Sequence, residues 1–277
     1  MSLVVGYITS KKIELAGDSR FTNEYPGKIY KYSEDYFGGG LKVIILSKDL
    51  VIAYAGTTTY ATGVIKSINP SDNIAEIAES LRKYTDPELQ GKDDSDFQFL
   101  LASTKKFDRS LQKISDGKIS EIPCPGRTWI GHDAAYEKYH EYYDKAIGMH
   151  PEFDEELQLS VAQRDALRLV IDDREVLNVG GTPVIANDEG DGFWYMFGFS
   201  AAIGISKQDK LAVEIKAPEA KGLGELGVYL HEAKRGALFA PLRFSKPQIV
   251  QAADKEEFRR KVLETYGTKL IGGGFDY

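Results

Sequence analysis

The chain has 277 residues, 42% hydrophobic and 28% charged, which suits one large globular domain with or without an appendage and excludes disorder and fibrous architectures. Its 42 Asp and Glu outnumber 35 Lys and Arg, and the resulting net charge of -7 argues against gripping a phosphate backbone. Cys124 is the single cysteine, so an internal disulfide and a thiolate zinc centre are both excluded.

The opening residues, Leu3-Val4-Val5-Gly6-Tyr7-Ile8 and Ile13-Glu14-Leu15-Ala16-Gly17-Asp18, flank the polar Lys11-Lys12 and predict a hairpin over 2–18. A polar, Gly- and Tyr-rich connection runs from Ser19 to about Gly40. Residues 41–46 and 50–55 predict a second strand pair, closed by Gly56 and followed by a helix over 60–68. Asn73 then opens an amphipathic helix to Tyr84, with Ile74, Ile77 and Leu81 on one face.

Residues 97–103 predict another strand, and Asp116-Gly117 joins strands at 111–115 and 118–122 as a tight hairpin. A short strand at 129–131 leads to helices at 134–147 and 157–171, then strands at 182–186 and 192–199. Beyond Ser206 the pattern predicts a strand at 211–215, a helix at 225–233 and a charged helix at 254–266. The blocks of strands and helices predict an α+β fold, with antiparallel sheets covered by helices over 1–205 and a C-terminal extension over 206–277. That extension ends in Gly272-Gly273-Gly274 followed by Phe275-Asp276-Tyr277, a flexible hinge before two aromatic rings.

No apolar run reaches the length of a membrane span, and no basic segment precedes a long apolar one at the N-terminus. Both observations point to a cytoplasmic protein with no membrane partner. Gly222-Leu223-Gly224-Glu225-Leu226-Gly227 has GxGxxG spacing but does not follow a strand directly, and reads better as a Gly-rich helix start than as a dinucleotide site. His132, Glu137, His140 and Glu141 lack the i, i+4 histidine pairing of a helical metal site. Arg259-Arg260-Lys261 shares its helix with Glu256, Glu257 and Glu264, so it reads as a solvated face, and no nucleic-acid partner is indicated.

The N-terminus carries the chemistry. Loss of Met1, expected because serine is small, exposes Ser2 with a free α-amine. An α-amine has an ordinary pKa of roughly 7.7–8.0, so near neutral pH a fair fraction can accept the serine hydroxyl's proton. A nucleophile and its base are then held in one residue.

Ser2-Leu3-Val4-Val5-Gly6, Leu15-Ala16-Gly17-Asp18-Ser19-Arg20-Phe21-Thr22 and Lys42-Val43 through Ala53-Tyr54-Ala55-Gly56 together resemble the N-terminal-nucleophile hydrolases of the proteasome β-subunit and bacterial proteasome-like peptidase type. The resemblance covers about residues 2–200 and is strongest over the first 56. It implies an αββα sandwich of two antiparallel sheets between helical layers. Ser2 would be the nucleophile, Asp18 the acidic residue in its D-x-R-x-T context, and Lys42 the lysine, with Lys28 as the competing candidate. It further implies the Ala53 N–H as oxyanion donor, and Glu175 in the outer shell that orients the amine. His132 stands where the family usually has a supporting serine.

The implied activity is hydrolysis of amide bonds in a peptide or small amide substrate through an acyl-enzyme, with no metal or organic cofactor. A homo-oligomeric ring, and an ATP-dependent unfoldase feeding it, are the implied partners. A non-catalytic ring subunit and an acylase for small amides are the alternatives.

Overall fold

A computed structural model describes residues 2–19, 39–87, 97–105, 109–173, 175–176, 179–181, 183–188, 190, 192–197, 213–218, 225–230 and 233–271. Lys28, Arg20, Thr22 and the tail at 275–277 lie outside the described residues. The fold is α+β, and the strand pairings among the described residues are antiparallel.

One sheet contains β1 (Leu3–Ile8), β2 (Ile13–Gly17), β8 (Gly126–Gly131), β9 (Val184–Asp188) and β10 (Phe193–Phe197), in the order β10-β9-β2-β1-β8. A second contains β3 (Val43–Ser47), β4 (Leu50–Ala55), β5 (Gln98–Ser103), β6 (Ser110–Ser115) and β7 (Lys118–Glu121), in chain order. The β6–β7 hairpin turns at Asp116 and Gly117, whose φ values of 51° and 68° are the two positive angles of a type I′ turn.

Side-chain alternation along these strands divides the apolar residues between two faces. Val4, Ile8, Ile13 and Leu15 from the first sheet meet Val43, Val51, Leu100 and Leu111 from the second in one core. On the far side of the first sheet, Leu3, Val5, Ala16 and Ile185 pack under α3 (Asp133–Ala146) and α4 (Glu155–Asp172). On the far side of the second, Ile44, Ile52, Phe99 and Leu101 pack under α1 (Thr58–Lys66) and α2 (Ile74–Thr85). Strands covered on both faces are apolar throughout, which is why β1, β2 and β4 are wholly buried. Helix starts follow the local chemistry: the Asn73 and Asp154 side chains accept the N–H groups of Glu76 and Leu157, each at 2.9 Å.

The first two sheets are stitched at one edge. Tyr195 of β10 donates its hydroxyl to the Val43 carbonyl at 3.1 Å and accepts the Ile45 N–H at 3.0 Å. Burial raises this phenol's pKa well above its ordinary value.

The C-terminal residues form a third sheet, ordered β14-β13-β12-β11-β15, from β11 (Val213–Pro218), β12 (Leu226–Leu230), β13 (Arg235–Phe239), β14 (Gln248–Gln251) and β15 (Leu270–Ile271). The helix expected over 225–233 is therefore corrected to a strand. Leu226-Gly227-Val228-Tyr229 alternates between two apolar faces, and β12 is paired on both sides. Gly227 is not a helix-start glycine: a Cβ there would lie 2.5 Å from Leu270 Cδ1. One face of the sheet sends Leu226, Val228, Ala237 and Phe239 into the core shared by the first two sheets. The other packs Tyr229 and Leu238 against Phe258 and Val262 of α5 (Lys255–Tyr266). No helix among the described residues is long and apolar enough to cross a membrane.

Candidate active site

Three of the residues singled out in the sequence lie where β1, β2 and β3 begin or end. Ser2 precedes β1 and is buried. Asp18 follows β2, and its N–H donates to the Leu3 carbonyl at 3.1 Å while its Oδ1 accepts the Leu3 N–H at 3.0 Å. This two-way clamp holds Leu3, the residue immediately after Ser2. Lys42 precedes β3, fixed there because its carbonyl accepts the Tyr54 N–H at 3.0 Å.

From that position the Lys42 ammonium reaches both carboxylate oxygens of Asp18, each at 2.9 Å. Lysine and aspartate are 2% and 1% exposed, so the pair is sealed from water. Burial is unfavourable for either charge alone, and the bidentate contact plus the Leu3 N–H compensates the carboxylate. A longer bond from the Gly180 N–H, at 3.4 Å to Oδ2, adds a third element. Tyr54 lies nearby, with its hydroxyl donating to the Leu41 carbonyl at 3.3 Å. Burial first, and the Asp18 charge in addition, push its pKa up, so it stays a neutral phenol.

Gly131, at the end of β8, forms the wall behind Ser2. Its φ is 114°, and a Cβ there would fall 1.9 Å from the Ser2 carbonyl oxygen. The next N–H, of His132, donates to that same oxygen at 2.9 Å. Gln98 was not anticipated from the sequence. Its Oε1 accepts the Gly131 N–H at 2.9 Å and so steadies the wall from the second sheet. A single glutamine leading into an apolar strand carries no local signal of such a role.

Two expected members stand apart from this cluster. Ala53 is buried in mid-strand opposite Leu100 of β5. Because Tyr54 sends its N–H to β3, alternation along an antiparallel strand turns the Ala53 N–H toward β5 and into the ladder. It is therefore not offered to a substrate. The first N–H past the β4 ladder belongs to Gly56, whose φ of 116° turns the chain toward α1. Glu175 is exposed; its N–H donates to Asp173 Oδ1 at 2.8 Å, and its charge acts on Lys138 of α3. It follows the end of α4 on the outer layer, open to solvent.

The cluster thus sets a buried serine beside the residue, Leu3, that a sealed cation–carboxylate pair holds. No protein family and no characterised protein matches the chain in comparison with known sequences.

Proposed function

We propose that the chain is an N-terminal-nucleophile amide hydrolase of the proteasome-like type, with the αββα sandwich as its catalytic frame. The observation that carries this reading is the buried Lys42–Asp18 pair clamped to the Leu3 peptide, one residue from Ser2. The helix, sheet, sheet, helix order of the packed cores supports it.

In this reading Ser2, made N-terminal by loss of Met1, attacks the amide carbonyl of a peptide or small amide through Oγ. Its α-amine accepts the hydroxyl proton and returns it to the leaving amine. The Lys42 cation disfavours a second cation beside it and so keeps the α-amine neutral, while Asp18 fixes that cation in place. The oxyanion is held by the Gly56 N–H rather than by Ala53. Water then releases the acyl group from Ser2 by the reverse proton path.

The resemblance also brings a homo-oligomeric ring in the cytoplasm, with an ATP-dependent unfoldase as a partner. A native mass well above that of a dimer at micromolar concentration is expected. A monomer would remove the ring and favour an acylase for small amides.

The deciding experiment treats the protein with a peptide electrophile that captures N-terminal nucleophiles and then measures intact mass and the modified peptide. One adduct at Ser2, absent in Ser2→Ala, is expected. An unmodified Ser2 under conditions that label a known hydrolase of this type would overturn the catalytic reading in favour of a non-catalytic ring subunit.

A further inference from the structure

A cleft opens next to Lys42, and its walls come from two distant parts of the chain. One wall is Leu41, which leads directly into Lys42, together with the face of α1 that carries Thr59, Thr62, Gly63 and Lys66. These helix positions are spaced i, i+3, i+4 and i+7, so they form one stripe. The other wall is the connection between β13 and β14, with Phe244 and Lys246. The cleft holds about 130 Å³, roughly four times a water's share of the liquid, which is room for one side chain.

Both walls are held in place. The Gly40 N–H, beside Leu41, donates to the carbonyl of Ser19, the residue after Asp18, at 2.6 Å. Thr58 also lines the cleft, two residues past Gly56, and its side chain hydrogen-bonds the Tyr54 hydroxyl. In the opposite wall, the Ala240 carbonyl accepts the Arg243 and Phe244 N–H groups, each at 2.8 Å, and folds the connection into a turn. Leu242 of that turn packs against the core beneath α1 and α2. Arg243 is anchored by Glu225 at 2.8 Å and by Thr268 at 2.9 Å. Between the walls there is space: a Cβ added at Gly63 would meet no described atom within 4 Å.

The chemistry of the lining is one-sided. Leu41 and Phe244 make it apolar, and Lys66 and Lys246 bring two cations to it. Among the described residues it holds no carboxylate, and neither lysine is in a salt bridge. Two cations on an apolar cleft complement a short side chain that ends in a negative charge.

We infer that this cleft receives the side chain of the substrate residue whose carbonyl Ser2 attacks, and that Lys66 and Lys246 select glutamate or aspartate there. The inference rests on the hydrolase reading and adds a substrate class to it, peptides cut after an acidic residue. Its position follows from the lining, since Leu41 adjoins Lys42 and Thr58 lies just beyond the Gly56 N–H assigned to the oxyanion. The third sheet gains a part in the site, because it carries Lys246.

The test uses a matched set of peptide electrophiles that differ only in the residue bearing the reactive carbonyl: Glu, Gln, Lys or Gly. The rate of the Ser2 adduct is followed by intact mass. The Glu probe is expected to react about tenfold faster than its neutral isostere Gln, the scale of two exposed ion pairs, and the advantage should shrink in high salt. In the double variant Lys66→Met with Lys246→Met, Glu and Gln should react within twofold of each other, with the Gln rate close to wild type. Both lysines are exposed, so melting should not change. Gly63→Leu, which fills the cleft, should slow the Glu probe and leave the Gly probe little changed. Ser2 labelling that does not distinguish Glu from Gln, or a Glu preference that survives the double variant, would overturn the inference and leave the hydrolase reading standing. No Ser2 adduct with any probe would remove both.

Discussion

Lys42 Nζ lies 2.9 Å from both carboxylate oxygens of Asp18, and the side chains that meet are 2% and 0% exposed. A pair this well sealed is a poor source of net stability, but breaking it leaves one charge buried without its counterion, at about 3–5 kcal/mol. Lys42→Met and Asp18→Asn are each expected to lower unfolding free energy by about that amount in urea titrations. The double variant should lose clearly less than the sum, because neither charge is then stranded. Additive losses would show that the two side chains act independently. Lys42→Met should also abolish the Ser2 adduct while the residual fold persists, which separates the chemical role from the structural one.

A second buried carboxylate anchors the helical layer over β1 and β2. Glu14 is fully buried and accepts from Ser160 Oγ at 2.8 Å, Gln163 Nε2 at 3.1 Å and Arg164 Nη2 at 2.8 Å, all on α4. Lys12 adds a cation at 3.3 Å. The network is polar on every side, so an apolar replacement strands several donors at once. Glu14→Leu is expected to cost about 3–5 kcal/mol, and Glu14→Gln visibly less because it keeps one acceptor. Equal costs for the two would mean that packing volume, rather than the hydrogen bonds, fixes α4.

Gly131 should tolerate no side chain. A positive φ strains any β-carbon residue by about 1–3 kcal/mol, and here the Cβ would also overlap the Ser2 carbonyl oxygen. Gly131→Ala therefore has to displace the start of β1 or the end of β8. The expected result is loss of the Ser2 adduct together with a lower melting temperature. An alanine variant that labels normally would show that the wall behind Ser2 is not part of the site.

How much of this was readable in the chain depends on how local each signal was. The strands around the central core announced themselves as short, well-bounded apolar runs, such as Leu3–Ile8 and Leu50–Ala55, because both of their faces are covered. Ser2, Asp18 and Lys42 were singled out through a resemblance carried by motifs and their spacing, and the structure adds the Lys42–Asp18 and Asp18–Leu3 bonds, which spacing cannot give. Ala53 was misjudged because the direction of a backbone N–H depends on which neighbour takes the bond at Tyr54, a fact of register rather than sequence. β12 was misread as a helix because its evidence lies elsewhere in the chain. Gly227 makes room for Leu270, and Gly236 of β13 makes room for Phe258, whose ring would lie 2.5 Å from a Cβ there. Two glycines inside strands look like breakers until the side chains that need the space are known.

The placement of β12 and β13 leads to the last prediction. An appendage could be removed without harm to residues 1–205. Yet Leu226, Val228, Ala237 and Phe239 share a core with Val4, Val43 and Leu100, and each is under 8% exposed. Removing the third sheet uncovers that shared core, and apolar surface returned to water costs about 25 cal/mol per Å². It also removes the leucine and phenylalanine that fill the space above the sheets, leaving a cavity of several side chains. A chain ending at residue 205 is therefore expected to lose its near-ultraviolet circular dichroism, bind a hydrophobic dye and unfold without a cooperative urea transition. A more local variant, Val228→Asp, should do the same to a smaller degree, since it places an unpaired carboxylate in that core. A truncated chain that melts cooperatively and still forms the Ser2 adduct would show that residues 1–205 fold on their own and that the third sheet merely leans on them.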